Sequence, residues 1–311
     1  MDDHKSGVLG RRDFARAMAL GIGALSLPMS PLRAMLQERR LQVGHTGITW
    51  GFSPDDAPGA IRDVGSLGYH GFESFGGVIE SWEERGGIGQ VLEAAGVPLR
   101  GAYCPVNLTD PARRAEEVEK IVRWGRLIEK YGGSIAVIGP NGVDRDGYDL
   151  GAHQDDIVAA LNDMGMALMD VGIIGALHPH TDTCIETAEE ARSVLESADT
   201  RFLKFCPDVG QLQKAGSDPV PLVRDFASIV HHTHMKDYDG GPDFLGYAPL
   251  GRGEVDVPEI AAILEGNGND VMIMVELDPN PRDRPMPMTP LATAQIAKEY
   301  MQELDYSFRS E

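Results

Sequence analysis

Four short segments of the chain each end a predicted strand in side chains that can bind a metal ion. They are Ala176-Leu177-His178-Pro179-His180, Phe205-Cys206-Pro207-Asp208, His232-Thr233-His234-Met235-Lys236-Asp237 and Met274-Val275-Glu276-Leu277-Asp278. Because the C-terminal ends of the strands in a closed parallel barrel converge on one face, catalytic groups collect there. Imidazole and carboxylate groups that converge in this way predict a site for one divalent cation, such as Mn²⁺, Co²⁺ or Zn²⁺.

Apolar runs alternate with amphipathic stretches along the chain, and this alternation predicts a parallel sheet. Eight strands are predicted, at Leu41–Ile48, Gly71–Ser74, Pro98–Tyr103, Ser134–Ile138, Ile173–His178, Phe202–Phe205, Ile229–His234 and Val271–Glu276. Helices are predicted between them, for example at Ala112–Lys130, Gln154–Asp170, Ala188–Ala198, Val220–Phe226 and Pro258–Glu265. Eight parallel strands close a barrel, so the predicted fold class is α/β, a (β/α)8 TIM barrel. The 311 residues, 42% of them hydrophobic, suffice for one such core.

Two long loops are predicted at the C-terminal face of this barrel. Residues 238–257 follow the seventh strand and are rich in glycine, which favours a lid facing the substrate. Residues 279–290, rich in Pro and Met, form the second loop.

The charge of the chain limits its partners. Lys and Arg total 28 and Asp and Glu total 48, which gives a net charge of −20. Such an acidic surface repels phosphate backbones and therefore argues against nucleic-acid binding. It also disfavours a heavily phosphorylated substrate.

The N-terminal segment is predicted to be a targeting signal and not part of the fold. Arg11, Arg12 and Phe14 precede a Gly/Ala-rich apolar stretch from Ala17 to Leu27. This pattern resembles the twin-arginine export signal, which implies a partnership with that export machinery and a periplasmic or otherwise exported protein. We predict a signal segment at residues 1–36 and a single catalytic barrel at residues 37–311. A membrane tether formed by an uncleaved signal and an ordinary N-terminal helix are the alternatives.

Five further motifs carry a resemblance to a known family. They are Leu-His178-Pro-His180-Thr, Asp208-Val-Gly-Gln211, His232-Thr-His234-Met-Lys236-Asp237, Leu-Gly251-Arg-Gly253-Glu-Val-Asp256 and Val-Glu276-Leu-Asp278. Together they resemble the xylose-isomerase-like TIM-barrel superfamily of sugar phosphate isomerases and epimerases, and in particular its inosose-dehydratase-like branch. The resemblance covers about residues 40–305.

The resemblance implies one divalent metal ion held by residues on strands five to eight. The family's Asp, His and Glu correspond to Asp208, His234 and Glu276. Where many relatives place Glu on strand five, this chain has His178, so His178, His180 and Glu186 stay open as the fourth ligand, with His178 preferred. Gln211 stands where many relatives have His, which removes a ligand that the multi-zinc nuclease branch needs.

The remaining site predictions concern catalysis and substrate binding. The predicted acid and base groups are His180, His232, Glu186 and Glu276, the last of which would also bind the metal. The predicted substrate-binding residues are Glu73, Gln211, Lys236 and Trp50.

The function implied by the resemblance is a metal-dependent isomerase or epimerase of a sugar, keto-sugar or cyclitol. Such an enzyme removes a proton next to a carbonyl and forms an enediolate, and the metal ion stabilises the developing charge. The alternatives are a dehydratase or lyase of a keto-sugar, inosose or 3-keto-glycoside, and a carbohydrate-binding barrel without catalysis. The expected partner is a small carbohydrate, and homo-oligomerisation stays open.

Overall fold

The structure is a computed structural model that describes residues 39–281 and 283–310. Its strands are β1 (Gln42–Thr46), β2 (Phe72–Phe75), β3 (Leu99–Pro105), β4 (Ile135–Gly139), β5 (Ile174–Leu177), β6 (Leu203–Phe205), β7 (His232–Met235), β8 (Asp237–Tyr238), β9 (Tyr247–Ala248) and β10 (Met272–Val275). Its α-helices are α1 (Ala57–Ser66), α2 (Gly76–Glu83), α3 (Gly89–Ala95), α4 (Arg114–Lys130), α5 (Gln154–Met169), α6 (Ala188–Ser197), α7 (Val209–Lys214), α8 (Pro219–Asp225), α9 (Val257–Asn267) and α10 (Pro290–Glu303).

Eight of these strands form a parallel barrel, which confirms the predicted fold class. Their order is β6-β5-β4-β3-β2-β1-β10-β7. Between β6 and β7 the ring is completed by two hydrogen bonds, from the backbone N–H of His231 to the carbonyl of Phe205 and from that of His234 to the carbonyl of Pro207. All eight predicted strands are present, with ends that differ by a few residues from those predicted.

The inner and outer faces of the barrel strands pack in two different apolar clusters. A small cluster inside the barrel contains Ile135, Val137, Ala176 and Cys206. A much larger one lies between the barrel and the surrounding helices. Since side chains alternate along a strand, residues two positions beyond Ala176, Cys206 and Met274 continue the inward row. This alternation aims His178, Asp208 and Glu276 at the barrel axis.

The helices end and begin where the sequence supplies suitable groups. Helix α4 carries Glu116 and Glu117 in its first turn and Lys130 in its last, which complements the helix dipole. Helix α6 begins with a capping box between Thr187 and Glu190.

Within residues 39–281 and 283–310, none of the helices combines the length and the apolar character needed to cross a bilayer. The predicted export signal at residues 1–36 lies outside the described residues.

The predicted loop at residues 238–257 is more ordered than the sequence indicated. Strands β8 and β9 pair as an antiparallel hairpin, with Asp237 opposite Ala248. The carboxylate of Asp237 then holds the segment that follows, because it accepts hydrogen bonds from the backbone N–H groups of Gly251, Gly253 and Val255 at 2.8–3.0 Å. Asp237 is buried and forms no ion pair with Lys236, so its role is to anchor this segment.

We expect Asp237→Ala to lower the free energy of unfolding by about 3 kcal/mol, because it leaves the N–H groups of Gly251, Gly253 and the buried Val255 without their acceptor. Urea unfolding followed by circular dichroism measures the change. The control is Asp239→Ala, which removes an exposed carboxylate that accepts from Gly241 and should change stability by no more than about 0.5 kcal/mol. Equal stability of the two variants would contradict the anchoring role.

Candidate active site at the C-terminal end of the barrel

A cleft opens at the C-terminal end of the barrel, where the sequence predicted the site. Its volume is about 440 Å³, including space open to solvent at its mouth. It is lined by Thr46, Gly47, Ile48, Glu73, Ser74, Phe75, Tyr103, His178, His180, His234, Glu276 and Asp278. The cleft thus brings together residues that lie in or just after strands β1, β2, β3, β5, β7 and β10.

The four predicted metal-binding side chains come together at the floor of this cleft, where His178, His234 and Glu276 line it and Asp208 is fully buried next to them. Oδ2 of Asp208 lies 3.8 Å from Nε2 of His178 and 3.9 Å from Nδ1 of His234. Nδ1 of His234 lies 3.0 Å from Oε2 of Glu276. Among the described residues, neither Oδ2 of Asp208 nor Nδ1 of His234 has a hydrogen bond of good geometry, although both atoms are buried. Buried polar atoms without such partners, aimed at one another across 4 Å or less, suit a cation placed between them.

Glu73 sets the orientation of His234. One oxygen of its carboxylate accepts a hydrogen bond from Nε2 of His234 at 2.9 Å, and the other accepts one from Nε2 of His232 at 2.6 Å. A carboxylate can only accept, so Nε2 of His234 carries the proton and Nδ1 is left to face Asp208 and Glu276. A carboxylate behind a histidine is the usual arrangement for a metal-binding imidazole. Glu73 was predicted to bind substrate; it lines the cleft, but its two oxygens are engaged by the histidines.

His178 has a weak contact at one nitrogen of its ring. Nδ1 of its ring is 3.8 Å from the thiol of Cys206, and both side chains are buried. This contact leaves Nε2, the atom nearer Asp208, directed at the cluster. Burial lowers the pKa of His178 well below its usual value, and the neighbouring His234 and His180 lower it further, so the ring is neutral and available as a ligand.

Lys236 lies among the carboxylates of the cluster. Its Nζ is 2.5 Å from Glu276, 2.7 Å from Asp278 and 3.1 Å from Asp208. Gly210 makes room for it, because a Cβ at that position would lie 2.8 Å from the Lys236 side chain. The carboxylates around Lys236 outnumber its single ammonium, and this excess of negative charge favours a cation beside them.

The charges in the cluster determine its protonation. Burial favours the neutral form of Glu276, but the charges of His234 and Lys236 outweigh it and hold the pKa of Glu276 well below its usual value. Burial likewise opposes the charge on Lys236, yet Asp208, Asp278 and Glu276 raise its pKa well above the usual value. The pKa of His234 is also raised, because Glu276 and Glu73 outweigh its burial. Without a cation, Nδ1 therefore carries a second proton, which a cation bound at this atom would displace. The carboxylate of Glu276 is therefore ionised at neutral pH.

His180 is held by two hydrogen bonds on the wall of the cleft. Its Nδ1 lies 2.8 Å from the carbonyl of Thr181, and its Nε2 lies 2.8 Å from the side-chain amide nitrogen of Gln211. The carbonyl oxygen of Gln211 accepts from the backbone N–H and the hydroxyl of Thr181 at 3.3 and 2.6 Å, which fixes the orientation of the amide. His180 therefore carries its proton on Nδ1 and has a lone pair on Nε2. Gln211, predicted to bind substrate, does not line the cleft and instead positions His180.

The other predicted residues lie outside this cleft. Glu186 pairs with Arg145 at 3.0 Å and accepts from the backbone N–H of Asp182, so we no longer assign it proton transfer or metal binding. His232 is fully buried beneath Glu73, which places it behind the reacting groups. Lys236, predicted to bind substrate, is fully buried and reaches the cleft only through its carboxylate partners. Trp50 donates to Asp63 and lines a neighbouring chamber instead.

Asp278 is a charged residue of the cleft to which no role was assigned from the sequence. It lines the cleft and accepts a hydrogen bond from Lys236 at 2.7 Å. The signal that would have found it is the alternation of side chains, since Asp278 lies two positions beyond Glu276.

The residues at the floor of the cleft fit a divalent cation. The set contains imidazole nitrogens from His178 and His234 and carboxylates from Asp208 and Glu276. Asp208, His234 and Glu276 bring their ligand atoms within 4.8 Å of one another. Nitrogen and oxygen donors of this kind suit Mn²⁺, Co²⁺ or Zn²⁺.

Comparison with known proteins identifies the family. The family model described as "Xylose isomerase-like TIM barrel" matches residues 61–304. The chain is 24% identical over 217 residues to an inosose dehydratase from Geobacillus kaustophilus, an alignment that covers 63% of this chain and 69% of that one. The residues that the family model matches include the cluster described above.

Solved structures show the same fold. A D-psicose 3-epimerase from Clostridium cellulolyticum, crystallised with D-tagatose, superposes with a TM-score of 0.70 at 15% identity, covering 86% of this chain and all (100%) of that one. A xylose isomerase-like TIM barrel protein from Mycobacterium smegmatis, in complex with magnesium, superposes with a TM-score of 0.67 at 16% identity, covering 85% of this chain and 96% of that one. The chain therefore belongs to the xylose isomerase-like TIM barrel family, as one of its enzymes.

Proposed function

We propose that the chain is a divalent-metal-dependent isomerase or epimerase of a sugar, keto-sugar or cyclitol. The observation that carries the proposal is the cluster of His178, Asp208, His234 and Glu276 at the floor of an open cleft, with additional proton-transfer groups on the walls of the same cleft. A bound divalent cation would polarise a substrate carbonyl and stabilise negative charge on its oxygen.

The chain's own side chains provide the proton transfers that such a reaction needs. Nδ1 of His180 donates to the carbonyl of Thr181, and Nε2 accepts from the side-chain amide of Gln211. To act as a base, Nε2 would exchange this amide for the substrate proton. Asp278 presents a carboxylate that Lys236 holds by a hydrogen bond. Both residues line the cleft, so one can take a proton from the carbon next to the carbonyl while the other returns it at a different carbon or on the other face.

A dehydratase is the second candidate, and the similarity to inosose dehydratases favours it. In that reaction the same base removes the proton, and an acid must then protonate the departing hydroxyl. Lys236 is charged, because the surrounding carboxylates outweigh its burial and raise its pKa, and it donates to Asp278 at the edge of the cleft. Lys236 and Asp278 form a route by which a proton could reach the leaving group.

One experiment separates these functions. The purified protein, supplemented in turn with Mn²⁺, Co²⁺, Zn²⁺ and Mg²⁺, is incubated in D₂O with keto-sugars, inososes and 3-keto-glycosides and followed by NMR. Deuterium incorporation with conversion to an epimer or isomer supports the proposal. Loss of a hydroxyl supports the dehydratase. Binding of these substrates without deuterium incorporation or loss of a hydroxyl in any of them would contradict both the isomerase and the dehydratase.

We also propose that the chain is exported in folded form by the twin-arginine pathway, on the basis of Arg11, Arg12 and Phe14 before a Gly/Ala-rich stretch. Replacement of both arginines by lysine should keep the precursor in the cytoplasm, because that pathway recognises the arginine pair. Cell fractionation and immunoblotting measure the distribution. Unchanged export of the lysine variant would show that a different signal, or none, operates.

A further inference from the structure

A larger chamber adjoins the active-site cleft on its outer side. Its volume is about 1180 Å³, against 440 Å³ for the cleft, both including space open to solvent. Ile48 and Asp278 line both spaces, so the two are adjacent and meet at these side chains. A substituent on a molecule bound in the cleft would enter the chamber past Asp278.

The wall of this outer chamber is apolar and comes from three separate segments. Trp50 and Phe52 follow β1, Pro279 and Pro281 follow β10, and Leu245 comes from the hairpin of β8 and β9. Phe52 and Leu245 have 58% and 47% of their surface exposed, and they are among the few large apolar side chains on the described surface. Exposed apolar residues gathered around a concavity mark a binding site.

The hairpin holds Leu245 at the chamber by means of a strained backbone. Phe244 and Leu245 have φ angles of 52° and 61°, in the left-handed region that non-glycine residues avoid at a cost of about 1 kcal/mol each. The strain is compensated locally, because the backbone N–H of Phe244 donates to Asn280 and its ring packs against Tyr247 and Leu277. A conformation that costs energy and exposes a leucine is explained if the leucine contacts a ligand.

The charges of the two spaces exclude phosphorylated ligands. Among the described residues that line them, the charged carboxylates belong to Glu73, Glu276, Asp278 and Asp56, and none of the lining residues is Lys or Arg. A phosphate in either space would meet carboxylates without a cation from the walls. The occupant of the outer chamber is therefore not an anion, and the apolar wall favours a neutral group over a charged one.

We propose, on the basis of the proposed function, that the substrate is a glycoside or similarly substituted sugar. Its reacting ring lies in the cleft, and a second, neutral ring attached to it lies in the outer chamber. The second ring is either an aromatic aglycone or another sugar. Both present an apolar face that can pack against Trp50, Phe52 and Leu245.

The test compares ligands that differ only in the second ring. The binding of methyl β-glucoside, phenyl β-glucoside and cellobiose to the Mn²⁺-supplemented protein is measured by calorimetry, and the turnover of their 3-keto derivatives is followed by NMR. We expect phenyl β-glucoside or cellobiose to bind at least about tenfold more tightly than the methyl compound. Which of the two binds more tightly identifies the aglycone as aromatic or as a sugar.

Substitutions assign this difference to the outer chamber. In a Phe52→Ala/Leu245→Ala variant the affinity ratio should fall to within about twofold of unity, because the second ring loses its apolar contacts. The control is Leu291→Ala, which removes a 41%-exposed leucine that lines neither space and should keep the ratio of the wild type. Circular dichroism verifies that each variant is folded.

The outcomes separate this inference from the proposed function. Equal affinities of the wild type for the methyl, phenyl and glucosyl compounds would overturn the inference, even if every 3-keto derivative were epimerised. A clear affinity ratio that depends on Phe52 and Leu245, without conversion of any 3-keto derivative, would support the outer subsite and overturn the isomerase proposal.

Discussion

Asp208→Asn and Glu276→Ala are each expected to lose the bound metal ion and, with it, the activity. Each substitution removes a carboxylate from a cluster in which carboxylates outnumber the ammonium of Lys236, and this excess of negative charge favours a bound dication. Even the loss of a hydrogen-bond partner behind a metal ligand lowers metal affinity about 10- to 100-fold, so loss of the ligand itself should cost at least about 100-fold. Asparagine is chosen at position 208 because Oδ1 of Asp208 also accepts from the N–H of Gln211 at the start of α7, and the amide oxygen can keep that bond.

Metal content after dialysis against a low concentration of Mn²⁺, determined by mass spectrometry, measures the effect. Circular dichroism shows whether the barrel is intact. The matched control is Glu186→Gln, which removes a carboxylate that lies outside the cleft and pairs with Arg145, and which should keep metal and activity. Full metal occupancy in Asp208→Asn or Glu276→Ala would overturn the assignment of the site.

The barrel could be predicted because its strands are short, apolar and regularly spaced. Runs such as Val271–Glu276 and Ser134–Ile138 are rich in residues that favour strands and are separated by amphipathic stretches, which leaves few alternatives to a parallel α/β fold. The hairpin of β8 and β9 could not be predicted in the same way. It consists of two-residue strands, and what stabilises the segment after it is one buried carboxylate, Asp237, whose bonds reach residues up to 18 positions away.

The metal-binding cluster could be predicted for a related reason. Strand alternation states which face a side chain takes, and the closure of the barrel brings the ends of the inward rows together, which predicted that the four segments converge. The choice of Asp208, His234 and Glu276 among their side chains came from the resemblance to the family. The partners of these residues could be predicted from neither source. Glu73 contacts His234 across a separation of 161 positions in the chain, and nothing local to either residue indicates the pair.

The roles of neighbouring polar residues were the part that the sequence left open. Gln211 and Lys236 both follow strands at the correct face, which suggested contact with substrate. In the structure the side-chain amide of Gln211 forms hydrogen bonds with His180 and Thr181, and Lys236 is surrounded by carboxylates. Alternation predicts direction, whereas the choice between a ligand and a neighbouring side chain depends on distances of a few tenths of an ångström that are determined by the packing of the whole barrel.

His180→Gln is expected to keep the metal ion and to lose at least about 100-fold in turnover, the usual scale for removal of a general acid or base. Both ring nitrogens of His180 are engaged outside the metal cluster, Nδ1 by the carbonyl of Thr181 and Nε2 by the amide of Gln211. The metal ligands of strand five are therefore reduced to His178, whose Nε2 faces Asp208. Glutamine can fill the space and form hydrogen bonds, but it cannot carry a proton near neutral pH.

Metal content and turnover measured on the same sample of His180→Gln decide between three roles for this residue. Retained metal with slow turnover assigns proton transfer to His180. Loss of metal would make His180, rather than His178, the ligand on strand five, and the corresponding His178→Gln variant should then keep its metal. Unchanged metal and unchanged turnover would make His180 a structural residue of the cleft wall. The proton carrier would then be Asp278, since Asp278 also lines the cleft and Lys236 holds its carboxylate at the edge of the metal cluster.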